Sequence, residues 1–138
     1  MLTLSASSAE PYWLDVVPGV RVQVKPITNA AMLIAQRAVG EVFRDEDQDE
    51  VVTRASVALV RKLAHLGIVG WEGVGNADGE TAPVTPENID AFLDVWAVYS
   101  EIDRAYVAPA MTRGLEKNAS ANSRPGTSAA GASTALPA

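Results

Sequence analysis

The hydrophobic and polar positions change period along the chain, and each period predicts an element. In VRVQVKP, Val20, Val22 and Val24 alternate strictly with Arg21, Gln23 and Lys25, the pattern of a half-buried strand. The stretch before it, Tyr12 to Val17, is short and apolar-rich. Pro18-Gly19 lies between them, with Pro fixing φ and Gly free to take φ > 0. The pattern predicts a β-hairpin with strands at 12–17 and 20–25, ended by Pro26. A lone hairpin is marginal in water, so it must lean on helices, another strand or another subunit.

From residue 29 the spacing becomes helical. Thr28 or Asn29 can cap a helix over 29–43, whose apolar positions Met32, Ala35, Val39, Val42 and Phe43 step by three and four. RDEDQDE follows and reads as a solvated acidic loop. Its spacing lacks the Gly and terminal Glu of a calcium loop. Asp49 and Glu50 suit the start of the next helix, where negative charge is favoured. That helix, 50–66, has the clearest stripe: Val52, Ala55, Leu59, Leu63 and Leu66. Arg61, Lys62 and His65 complement its C-terminal end, and Gly67 reads as a C′ stop.

IVGWEGV is too short and Gly-rich for a helix. It reads as a strand pairing with the hairpin or as an extended connector, with Trp71 expected to pin it to the core. NADGET is a turn. Thr85-Pro86-Glu87 is a sharp helix start, combining a hydroxyl N-cap, Pro at N1 and an acid in the first turn. Ile89, Phe92, Leu93 and Trp96 form its expected buried face, which Tyr99, Ile102 and Tyr106 continue. Such an aromatic stripe is core or a surface that captures a partner peptide. Pro109 should end or kink this run, and Met111 to Lys117 resume it for a turn or two.

Composition adds a boundary. Residues 118–138 are almost entirely Ala, Ser, Gly, Pro, Thr and Asn, too poor in apolar surface to offset an ordering entropy of roughly 1–2 kcal/mol per residue. The expected organisation is a flexible N-terminus at 1–10, a single domain at 11–117 and a disordered tail at 118–138. The expected fold class is α+β, mainly α-helical, with the N-terminal hairpin packed on about four helices.

Charge and residue inventory remove function classes. The formal net charge is -6, and no dense Lys/Arg patch is present, which argues against nucleic-acid binding. With no cysteine, disulfides, Cys-based metal sites and thiol catalysis are excluded, which fits an intracellular protein. The N-terminus has no basic n-region or apolar run of signal length, and no stretch approaches the ~18 apolar residues of a membrane span. No phosphate-binding loop, dinucleotide fingerprint, zinc-protease or nucleophile-elbow motif occurs. His65, the single histidine, has no motif partners and reads as a surface or capping residue. Asp90 and Asp94 share a helix face, with nothing nearby to raise either pKa. No catalytic, cofactor-binding or metal-binding residue is expected.

At WEGVGNADGETAPVTPENIDAFL a family pattern emerges. A Trp-x-Gly-Val segment, an Asp-Gly turn, a Pro-Val-Thr-Pro-Glu-Asn helix start and an Ile-x-x-Phe-Leu helix resemble the tail assembly chaperones of long-tailed phages and prophages. The preceding helix over 51–66 and the Glu116-Lys117-Asn118 exit into a Ser/Gly/Ala tail extend the likeness, and the hairpin also suits small phage tail proteins. The resemblance implies a protein that binds the tape measure protein, keeps its apolar surface from aggregating and helps recruit tail tube subunits. It implies action in the host cytoplasm and absence from the finished particle. An acidic helical body with apolar faces can dock an amphipathic helix. Candidate contact residues are Leu59, Leu63, Trp71, Ile89, Phe92, Trp96 and Tyr99, which are equally the best core candidates. The hairpin edge and the aromatic helix face also give reasons to expect a homo-oligomer. A structural tail protein of the virion (a tube, connector or completion subunit) is the alternative, because exposed strand edges pair between subunits. A small regulator unrelated to phage is the third.

Overall fold

A computed structural model describes residues 1, 2, 4 and 10–113. Of these, residues 10–110 fall in one compact unit, and residues 1, 2, 4 and 111–113 in another. In the second unit 111–113 are helical. The tail expected at 118–138, and most of the flexible start expected at 1–10, lie outside the described residues.

The first unit is α+β, a three-stranded antiparallel sheet combined with helices. Strands β1 (Tyr12–Val17) and β2 (Val20–Val24) form the expected hairpin, with Gly19 at φ 79° in the turn. The segment that sequence left open between strand and connector is a strand, β3 (Ile68–Glu72). It pairs antiparallel with β2 and makes it the central strand. Its exit brings Gly73 so close to the hairpin turn that a Cβ there would lie 2.0 Å from the Gly19 carbonyl oxygen.

Strand alternation sets two different faces. Val22 and Val24 are fully buried and oppose Trp71 and Ile68. On the other face, Arg21 makes two hydrogen bonds to Glu72, 2.8 and 3.1 Å, and lies 4.2 Å from the Trp13 ring centroid. That chain of contacts ties all three strands at the surface. The hydrogen bonds from Arg21 hold the Glu72 carboxyl below its usual range. A depressed carboxylate pKa contributes stability that is lost as pH falls through it, so this strap loosens in acid.

Helix α1 (Asn29–Arg44) begins at Thr28, whose Oγ1 accepts from Ala31 N–H. It packs on α2 (Val51–Gly67) through Ala35. Two positions depart from the expected stripes: Phe43 and Val52 are exposed, and the buried face of α2 runs through Ala55, Val60, Leu63, Ala64 and Gly67. The acidic loop between the helices is exposed, as expected. It is organised by Arg54, which donates to the Asp47 and Asp49 carbonyls at 2.5 and 3.0 Å.

Glu50 closes this loop in the left-handed region, φ 49°, with no side-chain cap. That conformation costs a non-Gly residue roughly 1–2 kcal/mol. Glu50→Gly is therefore expected to stabilise the fold by about 0.5–1 kcal/mol, after the added entropy of an unfolded glycine is deducted. Thermal unfolding beside Glu50→Ala checks it. Equal effects of the two changes would show that backbone strain is not what Glu50 carries.

Gly67 departs from its expected role. It stays in the right-handed helix, outside the positive-φ residues, so it is no left-handed cap. What it supplies is space: a Cβ there would lie 2.0 Å from the Tyr106 hydroxyl. Tyr106 donates that hydroxyl to the Lys25 carbonyl at 2.5 Å, and Lys25 N–H donates to the Gly67 carbonyl at 2.8 Å.

Candidate interaction surface

The expected long C-terminal helix is broken, and the break creates the surface. Helix α3 (Pro86–Leu93) starts as the sequence indicates: Thr85 Oγ1 accepts from Asn88 N–H, and Pro86 opens the helix. It ends at Asp94. Val95 is extended, with φ -79° and ψ 116°, and α4 (Trp96–Ile102) begins after it. One extended residue resets the helical phase. Val98 and Ile102 then face inward, while Trp96 is 76% exposed. The expectation that Trp96 shares the buried face of Ile89, Phe92 and Leu93 is thus corrected. That reading assumed one uninterrupted helix.

Pro109 does not end the run. A π-turn at Asp103–Val107 precedes it, with Ala108 N–H donating to the Asp103 carbonyl, and helical geometry resumes at 108. The extra residue in this wide turn brings both Tyr106 and Val107 inward.

Trp96 stacks on Tyr99, ring centroids 5.9 Å apart and planes within 15°. The two rings line an open groove of about 240 Å³ whose other walls are Val57 and Arg61 of α2, Leu93 of α3 and the Asp94 that caps α3. The floor is apolar and the rim is charged. The Tyr99 hydroxyl is pushed above its ordinary value, first by burial and then by Asp103, with Arg61 opposing. It remains protonated and available as a donor or acceptor.

The two rim charges are in different states. Arg61 Nε lies 3.4 Å from Asp90, whose same oxygen lies 2.7 Å from His65 Nε2. Asp90 thus fastens α2 to α3, and His65 has a partner that sequence did not supply. Asp94 has no ion pair among the described residues.

The seven sequence candidates separate here. Leu63, Trp71, Ile89 and Phe92 are buried and build the core. Leu59 is half-buried and does not line the groove. Trp96 and Tyr99 do line it, together on one face. Val57, Arg61, Leu93 and Asp94 complete the groove and were not candidates. Their only advance signal is position, since Val57 and Arg61 are one turn apart on α2.

Among the described residues no group of three or more His, Asp or Glu side chains is placed to hold a metal ion. No described helix is long and apolar enough to cross a membrane. No family model, curated protein or solved structure matches this chain.

Proposed function

We propose that this protein is a tail assembly chaperone of a long-tailed phage or prophage. It binds the tape measure protein, keeps it soluble and helps recruit tail tube subunits. It acts in the host cytoplasm, leaves before the virion is complete and catalyses no reaction. The observation that supports a binding role is the stacked Trp96–Tyr99 pair beside an apolar groove. A large aromatic exposed on an acidic body costs solubility unless a partner covers it. The family assignment itself comes from the WEGV, Asp-Gly and TPEN segments.

Co-expression tests the reading. This protein is expected to raise the soluble yield of a tape measure protein and to be captured with it. If the two neither associate nor change each other's solubility, the reading fails.

One feature favours a structural tail subunit instead. β1 and β3 each pair only with β2 among the described residues, leaving two sheet edges that could join neighbouring subunits. Stoichiometric recovery of the chain from purified particles would support that alternative against the chaperone.

A further inference from the structure

We propose that the α2–α3–α4 groove takes a basic amphipathic segment, with an aliphatic side chain on Val57 and Leu93 and a Lys or Arg cation held by Trp96 and Asp94. This rests on the chaperone reading and states what the partner must present.

The groove dictates the chemistry. At about 240 Å³ it is smaller than the roughly 300–1,000 Å³ typical of small-molecule sites, and it suits a side chain or two projecting from a larger partner. Its apolar floor calls for an aliphatic group. The charge balance decides the rest. Arg61 has a carboxylate partner in Asp90 at 3.4 Å, whereas Asp94 has no ion pair among the described residues, so the unpartnered rim charge is the Asp94 carboxylate. Trp96 offers an exposed indole on the same groove. A ring face and a free carboxylate together select a cation, by cation–π attraction and ion pairing. An overall charge of -6 steers a basic partner inward and repels a second copy of the chain.

The probe is a helical peptide with Leu and Arg four residues apart on one face, compared with its Glu-for-Arg counterpart. Binding is read by Trp emission and calorimetry. The wild type is expected to bind the Arg peptide, more weakly as salt rises, and to reject the Glu peptide. Trp96→Ala should weaken binding by about tenfold or more, and Asp94→Lys should reverse the preference between peptides. Both positions are exposed, and unchanged circular dichroism confirms that each variant folds.

Equal binding of both peptides, no binding by the wild type, or variants that bind like the wild type would overturn the proposal. So would a wild-type dimer that Trp96→Ala dissolves in sedimentation, which would assign the face to a second copy. Tape measure capture distinguishes the two levels. Capture unaffected by either variant sinks the groove and leaves the chaperone reading. Arg-peptide binding without capture sinks the chaperone reading and leaves the groove chemistry.

Discussion

Trp71→Ala is expected to destabilise the protein by about 3–5 kcal/mol, the range for a large aromatic removed from a core. Trp71 is 7% exposed and meets Phe92 in a tilted contact at 5.2 Å between centroids. Its Nε1–H donates to the Ala82 carbonyl at 2.7 Å. That bond reaches across a small loop, which is closed by Ala82 N–H to the Val74 carbonyl and Asn76 N–H to the Glu80 carbonyl. Trp71 therefore fixes both the sheet and the entry into α3. Trp71→Phe keeps a ring against Phe92 but leaves the Ala82 carbonyl without its donor, and about 1–3 kcal/mol should be lost. Urea unfolding separates the two variants. A cost below 1 kcal/mol for Trp71→Ala would mean that the ring is not part of the core.

Gly67→Ala is the second large effect, expected to cost about 2–4 kcal/mol despite the better helix propensity of alanine. The new methyl would occupy the position of the Tyr106 hydroxyl, whose ring carbon Cζ also lies only 2.9 Å away. Relief requires Tyr106 to move, which breaks its bond to Lys25. Burial pushes the Tyr106 hydroxyl well above its ordinary value, so the group stays a donor across the working pH range. Tyr106→Phe alone should cost about 1–2 kcal/mol for the lost bond. In combination with Gly67→Ala it should cost less than the sum of the two, because removing the hydroxyl removes the worst overlap. A double-mutant cycle reads this coupling, and strict additivity would show that the two residues do not meet.

These two sites mark how far the sequence carries. Trp71 could be placed because a tryptophan in a Gly-rich apolar run has few soluble alternatives to burial. The β2 alternation, the Thr28 and Thr85 caps and the α2 helix are local signals, and each appears in the structure. The role of Gly67 is not legible locally, because helix-end chemistry is local whereas its neighbour, Tyr106, is remote in sequence. The exposure of Trp96 is hidden because the sequence offers no Gly or Pro at Asp94-Val95 to announce a break. The groove was illegible for a related reason. It joins residues of α2 to residues of α3 and α4, and no periodicity within one helix reports on that meeting.

The Tyr106 bond to Lys25 spans 81 residues, and the Arg21 pairing with Glu72 spans 51. The sheet is therefore finished only once β3 has been made. During synthesis β1 and β2 can meet at once, but a two-stranded hairpin is marginal alone and waits for β3 to flank β2. The last fastening arrives only when the π-turn has left the ribosome. Contacts this distant carry a loop-closure cost before they repay it. Before β3 is made, Val22 and Val24 lack the strand that carries their partners Trp71 and Ile68.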